Sequence, residues 1–149
     1  MSGSKDVDLT GPELHEALTL PSTLSTVEIV ETKANEYAQK AGFDEDTASQ
    51  ISMVSREAAV NAVLHGNKKD PGKHVRATFS LTSDNLTIQV ADEGEGFDPT
   101  DVPDPLSPEG LLKPSGRGIF LMRAIMDEVN FRQLSPGAEI TLVKHRNRE

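Results

Sequence analysis

The chain has 149 residues, of which 36% are hydrophobic and 26% charged, a size and balance that fit one soluble globular domain. A net charge of −9 argues against a protein that coats nucleic acid, and the absence of cysteine excludes disulfides, zinc–thiolate sites and thiol nucleophiles. No apolar run approaches the roughly 18 residues of a membrane span and the first residues carry no apolar signal core, so the expectation is a cytoplasmic protein that engages neither membrane nor nucleic acid.

Residues 1–13 are polar and read as a flexible N-terminal segment. Leu14 to Leu20 predicts an edge strand stopped by Pro21. Val30, Ala34, Tyr37 and Ala41 recur at helical spacing, predicting a helix from about Ser22 to Ala41, with Ser22 or Ser25 as its cap and Gly42 as its end. Asp44 reads as the N-cap of a longer helix reaching about His65 and burying Ala48, Ile51, Val54, Ala58 and Ala62. Gly66-Asn67 ends it. Val75, Ala77, Phe79 and Leu81 alternate, as do Leu86, Ile88 and Val90, which predicts a β-hairpin turned at Ser83-Asp84-Asn85.

A proline-rich, acidic stretch of about 94–115 follows, too long for an ordinary connection and therefore a candidate lid over a site. Ile119, Met122 and Met126 predict a third helix from about Arg117 to Asp127. Val129 to Leu134 and Glu139 to Lys144 predict a second hairpin turned at Ser135-Pro136-Gly137, and residues 146–149 form a basic tail. Aromatic residues are scarce, at 4%, so the core must be mostly aliphatic. The order predicts an α+β fold, a two-layer α/β sandwich with helices packed on one face of a mixed, mainly antiparallel sheet.

Three short pieces carry chemistry. Glu57 and Asn61 stand four residues apart on one helix face, flanked by the small Ala58 and Ala62, with His65 one turn on. A carboxamide oxygen suits Mg²⁺, which takes few protein ligands and fills its octahedron with water and phosphate. A carboxylate one turn away suits a proton acceptor for an attacking hydroxyl or water. Asp92-Glu93-Gly94-Glu95-Gly96 follows a strand; its first acid can accept an exocyclic amine proton while the glycines let backbone approach a flat ring, which favours adenine. Gly116-Arg117-Gly118 opens a helix whose free N–H groups suit an anion, with Arg117 and Lys113 as candidate phosphate contacts. Each piece alone has an ordinary explanation: a solvated polar stripe, an acidic turn, a helix start. No Gly-x-x-x-x-Gly-Lys-Ser/Thr loop, Gly-x-Ser-x-Gly elbow or protein-kinase signature is present, and the four histidines show no metal-ligand clustering.

In this order the pieces resemble the boxes of the ATPase superfamily of gyrase, heat-shock chaperone, histidine kinase and mismatch-repair MutL proteins. Glu57-Ala-Ala-Val-Asn61 is similar to its N box, Asp92-Glu-Gly94-Glu-Gly96 to its first glycine box and Gly116-Arg-Gly118 to its second; Thr141 fits a further adenine-side position. Within the superfamily, residues 56–66, 116–122 and 126–129 most resemble anti-sigma-factor serine/threonine kinases of the partner-switching type, and the likeness runs from about 14 to 145. The resemblance implies a Bergerat-type ATP-binding fold with ATP and Mg²⁺ held between the long helix, lid and sheet. It implies Asn61 as the Mg²⁺ ligand, Glu57 as the base acting on a partner's serine, Asp92 on the adenine amine, and Gly94, Gly96, Gly116 and Gly118 shaping the pocket. The implied partners are a sigma factor, an antagonist (anti-anti-sigma) protein that is phosphorylated, and a second copy in a homodimer. The alternatives are an ATP-binding regulatory module, or a histidine-kinase-type catalytic domain that binds no sigma factor.

Overall fold

The computed structural model describes residues 14–68, 70–94 and 114–146, with side chains of the last helix described from 118 onward. The expected N-terminal segment, most of the lid with Gly96 and Lys113, the Arg117 side chain and the end of the basic tail lie outside the described residues.

The elements run β1 (Leu14–Pro21), α1 (Leu24–Lys40), α2 (Glu45–Val60), a single π-helical turn (Asn61–Gly66), β2 (His74–Leu81), β3 (Asn85–Ala91), α3 (Pro114–Ile125), β4 (Glu128–Gln133) and β5 (Ala138–His145). The five strands make one sheet in the order β1-β2-β3-β5-β4. Every pairing among the described residues is antiparallel, so the mixed, mainly antiparallel sheet that the sequence predicts is antiparallel throughout.

Strand alternation divides the sheet cleanly. Ala77 opposes Val90, Phe79 opposes Ile88 and Leu81 opposes Leu86; Ile88 and Val90 in turn oppose Leu142 and Ile140. These side chains are buried beneath the helices, where they meet Val27, Val30 and Ala34 of α1, Ile51, Val54 and Ala58 of α2, and Met122 of α3. The core is aliphatic apart from Phe79 and Tyr37, whose rings stack at a centroid distance of 5.3 Å. Tyr37 closes one end of this layer. Its hydroxyl donates to Glu16 Oε1 at 3.0 Å, and Lys33 pairs with the same carboxylate at 3.2 Å, tying the edge strand β1 to α1.

Helix ends follow local chemistry with three departures. Asp44 caps α2 as expected, accepting from Thr47 N–H at 2.7 Å. The first helix starts at Leu24 with Thr23 in the N-cap place and no side-chain cap; Ser22 is buried instead and Ser25 lies inside the first turn. The third helix starts at Pro114, about a turn before the expected Arg117, because proline's preset φ and missing N–H suit a first helical residue. The long helix does not run uniformly to His65: α-helical bonding ends at Val60, and the next turn is wound as a π-helix.

Candidate functional site

The candidate residues gather where the end of α2 meets the end of β3 and the start of α3. In β3, Val90 faces the helices and Ala91 faces away, so alternation returns Asp92 to the helix side. There its backbone N–H donates to Ala138 O at 2.9 Å, while its Oδ1 accepts from Gly94 N–H at 3.0 Å and Ala138 N–H at 3.2 Å. The other oxygen, Oδ2, has no hydrogen-bond partner among the described residues. Burial pushes the Asp92 carboxyl above the usual carboxylate value; the Gly94 and Ala138 N–H groups and the Lys73 charge oppose that shift.

Glycines let three backbone segments converge on this carboxylate. A side chain on Gly66 would overlap Asp92 Oδ2, one on Gly94 would overlap the Gly66 carbonyl, and one on Gly137 would overlap the Asp92 carbonyl. Gly137 also adopts φ +106°, a conformation that favours glycine. The π turn, the turn after β3 and the start of β5 are thereby packed backbone against backbone.

Glu57 occupies the last turn of α2 and Asn61 opens the π turn. Both are half-buried, and neither side chain has a hydrogen-bond or ion-pair partner among the described residues. Glu57 reaches toward α3: a methyl group at Gly118 would stand 3.0 Å from Glu57 Oε2. Polar groups left open at the edge of a dense core are the kind that a ligand satisfies. The structure thus brings Glu57 beside Gly118 and Gly94 beside Asp92, with Asn61 between Glu57 and Gly66 on the helix that touches both, and Gly116 lies in the first turn of the same α3. His65 is exposed at the far end of the π turn.

Thr141 is set apart. It belongs to a row that crosses the sheet from Ala17 through Thr78 and Gln89 to Thr141 and Asn130, on the face away from the helices. Its hydroxyl accepts from Gln89 Nε2 at 3.3 Å, and it lines a shallow depression with Arg132 and Glu139. Alternation decides this placement: Ile140 and Leu142 take the core side of β5 and leave Thr141 the other. The β5 residue beside Asp92 is Ala138, which contributes its backbone N–H. A further residue escapes a reading by composition. Asn67, which looks like a simple helix terminator, is fully buried behind the site. The signal available in the sequence was a polar residue directly after a glycine, a pattern too common to single it out.

Comparison with known proteins gives concordant matches. The histidine kinase-like ATPase domain family matches residues 20–144. The serine-protein kinase RsbW of Bacillus licheniformis is 34% identical over 135 residues, which is 87% of this chain and 84% of that protein. The same-named protein of Bacillus subtilis is 30% identical over 136 residues, with the same shares covered. Among solved structures, the RsbU and RsbW domains of a Mycobacterium tuberculosis protein superpose with a TM-score of 0.66 at 20% identity, covering 93% of this chain and 34% of that one. The catalytic domain of the histidine kinase ThkA superposes with a TM-score of 0.57 at 14% identity, covering 90% of this chain and 99% of that one. Both structural likenesses speak for the fold.

Proposed function

The chain belongs to the histidine kinase-like ATPase domain family, on the branch of the RsbW serine-protein kinases, and from that premise we propose that it is an ATP- and Mg²⁺-dependent kinase that phosphorylates a serine on an antagonist protein and, by partner switching, controls a sigma factor. One observation carries the reading of the site. Glu57, Asn61 and the outer oxygen of Asp92 are polar groups without partners among the described residues, around backbone that only glycine allows to come so close.

These residues fit a magnesium nucleotide. Asp92 Oδ2 is an ionisable acceptor held in place by two N–H groups on Oδ1, and it takes the exocyclic amine of adenine. Asn61 Oδ1, a neutral hard oxygen, takes one position on Mg²⁺. Bound there, the metal neutralises charge on the phosphate oxygens, the main requirement of phosphoryl transfer. Gly116 lets the first turn of α3 approach the phosphates, where the helix N-terminus favours an anion, and Gly118, just beyond it, leaves room beside Glu57. Glu57 orients the serine hydroxyl of the incoming protein and accepts its proton at a carboxylate oxygen. A homodimer in the cytoplasm is part of the same proposal; among the described residues no helix is long and apolar enough to cross a membrane.

The experiment is a paired binding and transfer assay. Magnesium-ATP raises the melting temperature of the parent chain, because a ligand bound to the folded state stabilises it. Asn61→Ala loses the Mg²⁺-dependent part of that rise. Glu57→Gln keeps the rise and loses transfer to a serine of the purified antagonist by about a hundredfold or more. No rise at millimolar ATP rejects the nucleotide site; undiminished transfer by Glu57→Gln rejects Glu57 as the base.

A further inference from the structure

Asn67 has no solvent exposure, and each of its polar groups is used. Its N–H donates to Ala62 O at 2.8 Å, the i→i−5 bond that closes the π turn, and its carbonyl accepts from Asp70 N–H at 3.0 Å. Its side-chain Oδ1 accepts from Glu93 N–H at 2.8 Å, and Nδ2 donates to His74 O at 2.9 Å. One carboxamide thus joins the end of the long helix, the first residue of β2 and the residue directly after Asp92. A second tie runs alongside, with Glu93 Oε1 accepting from His74 N–H at 2.6 Å.

A buried carboxamide bonded at both ends holds its partners in one geometry, because moving any of them leaves a buried backbone group unpaired. Here the partners lie between the two ends of the candidate site. Asn61 opens the π turn that Asn67 closes, and Asp92 immediately precedes the N–H that Asn67 holds. The π turn carries one residue more than an α-helical turn would, so its closure sets how far Asn61 stands from the Asp92 turn. Gly66, between them, lies against the Asp92 carboxylate, which leaves little slack for a shift.

We propose that Asn67 is a positioning residue for nucleotide recognition: it sets the reach from Asn61 to Asp92, so that the triphosphate and adenine ends of one nucleotide are engaged together. The proposal rests on the assignment of Asp92 to the adenine amine. It requires no contact between Asn67 and the nucleotide. Displacing the Glu93 peptide moves the neighbouring carboxylate, and a misplacement of about 1 Å is enough to forfeit a directional interaction.

The test compares ATP with inosine triphosphate, which carries an oxo group where adenine carries its amine. Dissociation constants with Mg²⁺ are measured for the parent, Asn67→Asp and Asn67→Ser, together with their melting temperatures. Asn67→Asp keeps an acceptor for Glu93 N–H and loses the donor to His74 O; Asn67→Ser is too short for both. The parent prefers ATP by about tenfold or more, the worth of one charge-assisted hydrogen bond. Both variants bring that ratio close to one by weakening ATP, while inosine triphosphate binding changes less than about threefold.

A ratio unchanged from the parent, whatever the loss of melting temperature, overturns the proposal and makes Asn67 a structural tie alone. A parent that shows no preference overturns it together with the Asp92 assignment, a result distinct from the first. If neither variant folds, amide exchange at Glu93 in the parent decides. Greater slowing by ATP than by inosine triphosphate at equal saturation supports coupling of the Asn67 tie to adenine recognition, and equal slowing overturns it.

Discussion

The Glu57 carboxylate lies against the backbone of Gly118, close enough that a methyl group there would stand 3.0 Å from Glu57 Oε2 and 3.8 Å from Glu57 Cδ. Residues 61 positions apart in the chain thus come together, which places the candidate base beside α3, one turn in from its start at Pro114.

That contact separates stability from activity in Gly118→Ala. Alanine favours a helix over glycine by about 1 kcal/mol, and the crowded atom is the end of a movable side chain. The expected variant melts at the parental temperature or above it. Its Glu57 carboxylate is turned aside, so serine phosphorylation falls by about ten- to a hundredfold. A melting curve and a transfer rate on the same preparation check both halves; an unchanged rate removes Gly118 from the placement of Glu57.

Gly94→Ala and Gly42→Ala form a contrasting pair. A side chain on Gly94 meets the Gly66 carbonyl, which is backbone and cannot swing away. That variant loses about 1–3 kcal/mol through overpacking and also loses the melting-temperature rise with magnesium-ATP. Gly42 ends α1 at φ +93° with nothing within 4 Å, so alanine there meets conformational strain alone. It costs about 1–2 kcal/mol and keeps the nucleotide-induced rise. Denaturant melts with and without nucleotide distinguish the two.

Asp92→Asn has a signed dependence on pH. Burial raises the Asp92 pKa in the folded chain above its ordinary value of 3.8. The folded state therefore binds more protons than the unfolded state in the window just above that value, and stability falls as pH rises through it. At neutral pH the ionised carboxylate is a cost to folding, which asparagine removes. The variant is expected to melt higher than the parent at neutral pH, with the gap closing on acidification into that window. Its preference for ATP over inosine triphosphate is lost. A parent that melts higher than the variant at neutral pH, by a margin that grows with pH, contradicts the sign.

The elements were legible in the sequence wherever one physical rule acted over several residues. Alternation at Val75 to Leu81 and Leu86 to Val90, and three- and four-residue spacing at Ile51, Val54, Ala58 and Ala62, gave both the strands and the buried helix face. The N-cap at Asp44 was equally local. Caps and breaks were less legible when a distant group decided them. The π turn is closed by Asn67, whose side chain is bonded to His74 and to Glu93, the latter well along the chain.

The sequence by itself determined the family and the chemical types at the site. A carboxylate and a carboxamide at helical spacing, an acid before glycines and a glycine-flanked helix start are local patterns, and local patterns survive without coordinates. Only the tertiary structure decided which of these groups meet. It placed Glu57 on Gly118, packed Gly66 against Asp92, and turned Thr141 to the far face of the sheet. It also made Asn67 the joint behind the site. The reason is that such contacts depend on strand parity and on backbone close approach between segments dozens of residues apart, and no single stretch of sequence contains both partners.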